Sequence, residues 1–204
     1  MRIAMAAALC AVGFASPAAA AQALLGVYAH DVTFLGDAFG VGSAGRENGD
    51  GADIEFGLRS DRIGALSWLG RPQAQAFMSL NTQGFSNFGA VGLTWPIRLS
   101  HTFYLRPGLG LALTDGKAGL PPVNAPGLSP EEIQRRLELF EHRIDFGSKV
   151  LFEPEIGLGA HLNPRWDAEL SWVHISNGEI FHHGKNQGLD DAGLRLVYRF
   201  GSRG

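Results

Sequence analysis

The stretch Phe103-Tyr-Leu-Arg-Pro-Gly-Leu-Gly-Leu-Ala-Leu-Thr114 places a large apolar residue or proline at every second position. A period of two is typical of a β-strand with one apolar face. The same alternation recurs along the chain between turn-rich segments. It predicts eight strands, at about 24–35, 52–60, 73–82, 88–99, 102–114, 147–162, 166–177 and 188–200. The fold class is therefore all-β.

Two architectures accommodate eight alternating strands: a soluble β-sandwich or calycin-like barrel, and an outer-membrane β-barrel. The second face of the strands distinguishes them, because it combines charged residues with many of the 28 glycines. Glycine is a poor residue for a solvated strand, whereas small and charge-paired residues suit the narrow lumen of an eight-stranded barrel. The charged residues of this face are Asp53, Glu55, Arg59, Arg106, Glu153, Glu155, Arg195 and Arg199.

The last strand supports the membrane architecture, since Gly193–Phe200 alternates and ends on an aromatic residue, a pattern typical of the segment that the outer-membrane assembly machinery recognises. We therefore expect an eight-stranded antiparallel up-and-down outer-membrane β-barrel, with short turns in the periplasm and long loops outside. The expected long loops are 36–51, 82–87, 116–145 and 178–187. Within the third of these, Ser129-Pro-Glu-Glu132 is a helix-start pattern and predicts one short helix.

The first twenty residues have the layout of a secretory signal peptide, with Arg2, an apolar run and small residues up to Ala20. The apolar run is shorter than the ~20 residues that a spanning helix needs. The expected organisation is a cleaved signal peptide at 1–20 and a barrel domain at 21–204. The only cysteine, Cys10, belongs to the signal, so the mature barrel can form no disulfide. A net charge of −3 provides no basic field for nucleic acid.

Two polar residues, His174 and Ser176, interrupt the lipid-facing side of the seventh strand. Residues i and i+2 on one face lie ~6.5–7 Å apart at Cα, so the imidazole and the hydroxyl can meet. On the neighbouring eighth strand, Asp190 shares this face, whereas Asp191 points to the lumen. A carboxylate, an imidazole and a hydroxyl on the outer wall of the barrel are the components of an activated serine nucleophile.

The motif His174-x-Ser176-Asn177, followed by Asn186-x-Gly188-x-Asp190 and a closing aromatic strand, resembles the lipid A 3-O-deacylases of the PagL type. These are small eight-stranded outer-membrane barrels that remove an ester-linked acyl chain from lipid A. The family carries a glutamate where this chain has Asp190. The resemblance is specific over 174–200 and architectural over the rest of the chain.

The resemblance implies a serine esterase that hydrolyses the 3-O-linked acyl chain of lipid A. Ser176 would be the nucleophile, His174 the general base and Asp190 the acid that orients the imidazolium. An oxyanion site would form at backbone N–H groups near Asn177 and Gly178.

The Asn186 amide would assist at that oxyanion site. No cofactor and no metal ion are implied for this reaction. The expected substrate is lipopolysaccharide of the outer leaflet, and the assembly machinery is the expected partner during biogenesis. The oligomeric state stays open, a homodimer included.

Two other functions remain compatible with the residues. In a non-catalytic small barrel, such as an adhesin or a structural protein, His174 and Ser176 would only hydrogen-bond each other near the headgroups. A different acyl-chain enzyme, such as an outer-membrane phospholipase or palmitoyl transferase, would use the same wall. Trp172 and Phe181 would either line an acyl groove or act as interfacial anchors.

Overall fold

The computed structural model describes residues 20–40, 44–47, 51–181, 183 and 187–200. The predicted signal peptide lies outside the described residues, except for Ala20. Within the described ranges there are nine strands, two α-helices and one 3₁₀ helix at Gly64–Leu69. The strands are β1 Ala20–Ala29, β2 Ala52–Arg62, β3 Gln73–Asn81, β4 Phe88–Thr94, β5 Ile97–Arg98, β6 Phe103–Thr114, β7 Val150–His161, β8 Trp166–Ile175 and β9 Leu189–Arg199; the helices are α1 Phe34–Phe39 and α2 Pro130–His142.

Eight of these strands close into an antiparallel barrel in the order β1-β2-β3-β4-β6-β7-β8-β9, while the two-residue β5 pairs with β6 beyond the end of β4. The barrel closes between its first and last strands, because Val27 lies opposite Ile54 on one side and Leu194 on the other. The predicted eight-stranded antiparallel barrel is confirmed. Closure removes the unpaired strand edges that an open sheet would expose.

The two faces of the strands separate as the alternation predicts. Apolar side chains such as Leu109 and Leu194 project outward and are more than half exposed. The charged residues of the second face point inward and are buried, except for Arg199, whose side chain is 20% exposed. In the lumen, the Arg195 guanidinium donates to both carboxylate oxygens of Glu55, at 2.6 and 2.8 Å. Arg195 and Glu55 are both buried, so their opposite charges compensate each other, as buried charges require.

Glycine in the lumen makes room for large side chains from the neighbouring strand. A Cβ atom at Gly159 would lie 2.0 Å from Cζ of Tyr104, so the tyrosine ring occupies the space that any side chain at 159 would need. The Tyr104 hydroxyl in turn donates to Glu169 at 2.8 Å. Part of the glycine excess thus reflects the narrow bore of an eight-stranded barrel.

The strand boundaries differ from the sequence prediction by a few residues at several strands, and the largest differences are at the first strand and at the predicted strand 88–99. The first strand ends at Ala29 rather than near 35, because His30 and Asp31 turn inward to polar partners and Asp31 has a positive φ of 50°. The predicted strand 88–99 is interrupted after Thr94. Pro96 has no N–H to donate to a ladder, which accounts for the break.

The long connection between β6 and β7 contains the predicted short helix. The side chain of Ser129 accepts a hydrogen bond from the Glu132 N–H, and Pro130 occupies the first turn. No residue of α2 is buried, whereas Ile144 and Phe146, which follow it, are fully buried at the barrel mouth. Among the described residues, no helix is both long and apolar enough to cross a membrane.

Candidate active site

The register between β8 and β9 brings the predicted base and acid together. His174 lies directly opposite Asp190 in the antiparallel ladder. The distance between His174 Nδ1 and Asp190 Oδ1 is 2.7 Å, and both side chains are buried. Asp191 points to the other side of the strand, where the Ser79 hydroxyl donates to it at 3.5 Å. The predicted division of the two aspartates between the two faces therefore holds.

Trp172 makes a contact with the acid that sequence reasoning did not find. Its indole N–H donates to the same Asp190 oxygen that faces the imidazole, at 3.0 Å. Trp172 precedes His174 by two positions, so the sequence predicts that both side chains share a face. It does not predict that the indole N–H is directed at Asp190. The indole N–H and the imidazole Nδ1 thus converge on one carboxylate oxygen, which holds the orientation of the Asp190 side chain.

The other imidazole nitrogen is buried and available. In the described part of the chain, Nε2 of His174 has no hydrogen-bond partner. The ring packs against Gly188, because a Cβ atom there would lie 2.3 Å from Cε1 and 3.0 Å from Nε2. Gly188 of the Asn-x-Gly motif therefore makes space for the imidazole.

Ser176 follows His174 on the same face, just beyond the end of β8. Its backbone forms two hydrogen bonds with Phe152 of β7: the Phe152 N–H donates to Ser176 O at 2.7 Å, and the Ser176 N–H donates to Phe152 O at 3.1 Å. These bonds continue the ladder past the formal end of the strand. Ser176 is thus held by rigid backbone, which suits a nucleophile whose position must be reproducible.

The sequence placed these side chains on a lipid-exposed wall, and the structure modifies that picture. Leu170, four residues before His174 on the same face, is 59% exposed, whereas His174 and Ser176 are 1% and 7% exposed. The pair therefore lies on the outer side of the barrel but is buried. Burial lowers the local dielectric constant and strengthens the electrostatic interactions within the site.

The residues after Ser176 connect the site to the barrel mouth. The buried side-chain amide of Asn177 donates to the carbonyl of Phe146, at 2.5 Å, and the Asp145 N–H donates to the side-chain oxygen of Gln187, at 2.8 Å. The end of the long 116–145 connection thus contacts both flanks of the site. Gly178 has a positive φ of 59°, which favours glycine at this turn.

Three further predicted residues have different outcomes. Asn186 lies outside the described residues. Phe181 is partly exposed and stacks on Phe152, with ring centroids 5.1 Å apart. Trp172 is buried against the acid rather than exposed as an interfacial anchor.

Comparisons with known proteins relate the chain to one family. The sequence profile described as lipid A 3-O-deacylase (PagL) matches residues 62–199, more than half of the chain. The crystal structure of the outer membrane enzyme PagL matches with a TM-score of 0.53 and 15% sequence identity, covering 88% of this chain and 100% of that chain. The backbone structure of the Yersinia pestis outer membrane protein Ail in a phospholipid bilayer nanodisc matches with a TM-score of 0.42 and 12% identity, covering 88% and 99%. Curated protein sequences gave no match.

Proposed function

Because the chain belongs to the lipid A 3-O-deacylase family, we propose that it hydrolyses the 3-O-linked acyl ester of lipid A with a Ser176–His174–Asp190 triad. The barrel is an outer-membrane barrel, so its outer wall faces the leaflet in which the acyl chains of lipid A lie. One observation carries the assignment of residues. The buried imidazole of His174 contacts Asp190 through Nδ1, and among the described residues its Nε2 has no hydrogen-bond partner. Ser176 is the next residue on the same face of the strand.

The proposed reaction proceeds in two halves. Ser176 Oγ attacks the ester carbonyl while His174 Nε2 accepts the hydroxyl proton, and the tetrahedral intermediate collapses as the C–O bond to the sugar breaks. The imidazolium returns its proton to the leaving 3-oxygen. A water molecule, activated by the same nitrogen, then hydrolyses the acyl-serine. Asp190 stabilises the imidazolium that forms in each half.

Trp172 and Gly188 would prepare this arrangement. The indole N–H keeps the Asp190 oxygen directed at His174 Nδ1. The absence of a side chain at Gly188 leaves the space that the His174 ring occupies. The negative charge on the carbonyl oxygen would be stabilised by backbone N–H groups at Asn177 and Gly178, with assistance from the Asn186 amide.

The substrate would approach along the outer wall. The stacked rings of Phe152 and Phe181 lie beside the backbone of Ser176, because Phe152 is its ladder partner. An acyl chain that slides along these apolar surfaces would remain in a hydrocarbon environment up to the reacting ester. Since Ser176 is 7% exposed, we expect side chains next to it to shift as lipid A binds.

The decisive experiment compares the wild type with Ser176→Ala in a host that carries acylated lipid A. Mass spectrometry should show loss of one 3-O-acyl chain with the wild type and intact lipid A with the variant. Ser171→Ala is the matched control, because Ser171 lies on the same strand but faces the lumen and pairs with Gly157 in β7. Heat-modifiable gel mobility verifies that each protein has folded in the outer membrane.

Each alternative gives a distinct result. A non-catalytic barrel leaves lipid A and phospholipids unchanged in every strain. An outer-membrane phospholipase or palmitoyl transferase leaves the 3-O-acyl chains in place but changes the phospholipids or adds palmitate. Equal deacylation by the wild type and Ser176→Ala would refute the proposed nucleophile while retaining the family activity.

A further inference from the structure

A second cluster of chemistry-bearing side chains lies inside the barrel mouth, on the opposite face of β9 from Asp190. His30 follows β1, Asp53 belongs to β2 and Asp191 to β9, and all three are buried. His30 Nδ1 lies 3.0 Å from Asp53 Oδ2 and 3.5 Å from Asp191 Oδ1. One ligand atom from each residue can be chosen so that all lie within 4.8 Å of one another.

The outward side of the imidazole is held by a third carboxylate. His30 Nε2 lies 3.2 Å from Glu47 Oε2. Glu47 is itself fixed by the Ser86 N–H at 2.9 Å and the Ser86 hydroxyl at 3.2 Å. An imidazole whose second nitrogen donates to a carboxylate is the usual support for a metal-binding histidine, since it fixes the tautomer and the ring orientation.

The two aspartates have similar support. The Asn81 side-chain amide donates to Asp53 Oδ1 at 2.8 Å and leaves Oδ2 directed at His30. The Asp31 N–H donates to Asp191 Oδ1 at 3.4 Å. Each proposed ligand is therefore oriented by a protein group from another element or loop, in addition to its contacts within the cluster.

Carboxylates outnumber the positively charged groups at this mouth. Four buried carboxylates, those of Asp31, Glu47, Asp53 and Asp191, lie around His30. Within the described ranges, the cationic groups that pair with them are the imidazole of His30 itself and the partly exposed Arg143, whose Nε is 3.4 Å from Glu47 Oε1. Buried carboxylates require compensation by cations, metal ions or protons.

We propose that His30 Nδ1, Asp53 and Asp191 bind one divalent transition-metal ion, with Zn²⁺ as the matching probe. Imidazole and carboxylate ligands bind Zn²⁺ at about 2.0–2.2 Å, and such bonds in a tetrahedron separate neighbouring ligand atoms by about 3.3–3.6 Å. The 3.0 and 3.5 Å separations at His30 are close to that spacing. The fourth position is left for water.

The ion would cross-link the strands and loops at the barrel mouth. It would join the outer ends of β1, β2 and β9 and, through Glu47, the loops that contain Ser86 and Ile144, whose N–H groups both donate to that carboxylate. The proton is the competing occupant: burial lowers the pKa of His30, but hydrogen bonds to Asp53 and Glu47 outweigh this effect and raise it to about 10. Binding of the metal therefore releases a proton.

The test uses the full chain, folded in detergent and stripped with a chelator, titrated calorimetrically with ZnCl₂ alone. We expect saturable binding of one Zn²⁺ per chain and a higher unfolding temperature in its presence. His30→Asn should abolish both effects, and Glu47→Gln should weaken binding by about 10–100-fold. His161→Gln is the matched control, because His161 pairs with one buried aspartate, Asp167, at 2.9 Å near the other end of the barrel; it should bind as the wild type does.

Absence of saturable binding by the wild type would overturn the proposal. So would binding by a folded His30→Asn variant that equals the wild type, since the zinc would then lie on exposed histidines. If His30→Asn does not fold, the Co²⁺ absorption spectra of the wild type and of Glu47→Gln are compared instead. A wild-type spectrum typical of nitrogen and oxygen ligands that changes in Glu47→Gln supports the site. Identical spectra of the two proteins refute it. Lipid A is absent from every arm, so deacylase activity does not enter the outcome.

Discussion

Gly188→Ala tests whether the active site depends on the bare backbone beneath the imidazole. A Cβ atom at 188 would lie 2.3 Å from His174 Cε1, 3.0 Å from Nε2 and 3.3 Å from Nδ1. Carbon atoms in contact normally lie about 3.5–4.0 Å apart, so the ring must shift by more than about 1 Å. The φ of Gly188 is not in the left-handed region, and alanine therefore introduces no backbone strain.

The shift would move His174 away from a geometry defined by the 2.7 Å contact with Asp190. A misplacement of about 1 Å at a catalytic group can cost about 10²-fold in rate, which corresponds to about 2.7 kcal/mol of transition-state stabilisation. We expect kcat for release of the 3-O-acyl chain to fall by about 10²-fold, with KM little changed, because the acyl-binding wall is not altered.

The assay measures fatty acid released from purified lipid A by the protein folded in detergent, with gel mobility to verify folding. Gly157→Ala is the matched control, since its Cβ atom would meet its nearest neighbours at an ordinary 3.8 Å. Gly188→Ala activity within about threefold of wild type would refute the dependence on ring position. An equal loss in folded Gly157→Ala would show that added volume on any strand is sufficient.

Substitutions at three further positions probe the acid and the lumen. Trp172→Phe removes one donor to Asp190 but keeps an aromatic ring. Because a hydrogen bond to a charged group is worth about 1.5–3 kcal/mol, we expect kcat in the lipid A assay to fall about tenfold or more, with KM unchanged. Asp190→Asn should lower kcat by about 10⁴-fold, whereas Asp190→Glu, which introduces the acid of the family, should retain more activity than the asparagine variant. Arg195→Met should destabilise the barrel by about 3–5 kcal/mol in urea unfolding, because Glu55 loses its buried partner.

Each of these has a result that contradicts it. Trp172→Phe with unchanged kcat would show that the indole only fills space. Equal activities of the two Asp190 variants would exclude a role for the carboxylate charge. For the lumen, Arg135→Ala is the control, since this arginine of α2 is exposed and pairs with Glu132 on the helix surface. Its effect on unfolding should be small, because exposed ion pairs contribute little to stability. An equally small effect of Arg195→Met would refute the importance of the buried network.

The site depends on loops as well as strands. Asn177 and Gln187, on either side of the loop that follows β8, both bond to the segment at Asp145 and Phe146. The Ala44 N–H of the first loop donates to the carbonyl of Gly188, at 3.0 Å. Gly188 is the residue against which the His174 ring packs. The next residue of the same loop, Gly45, donates its N–H to Asp31 beside the proposed metal cluster. Hydrogen bonds of this loop therefore connect the proposed metal cluster with the catalytic pair.

Local patterns predicted most of the architecture. Side chains of a strand alternate between two faces, so the lipid wall, the charged lumen and the positions of eight strands could be recognised from spacing alone. Ser129 and Pro130 likewise predicted the start of α2 because capping is a local interaction. The alternation predicts a first strand that extends beyond its observed end at Ala29. That end depends on the contacts of His30 with Asp53 and Glu47, which are distant in the sequence.

The residue types and faces of His174, Ser176 and Asp190 were readable from the sequence by itself, because same-face positions follow from the two-residue period. Only the tertiary structure decided that His174 stands directly opposite Asp190, that the Trp172 indole donates to the Asp190 oxygen that faces the imidazole, and that His174 and Ser176 are buried. It also brought Asp31 to Asp191, which lies 160 residues further along the chain, and placed His30 beside the same carboxylate. Strand register and loop packing are set by the sum of many long-range contacts, and no local periodicity contains that information.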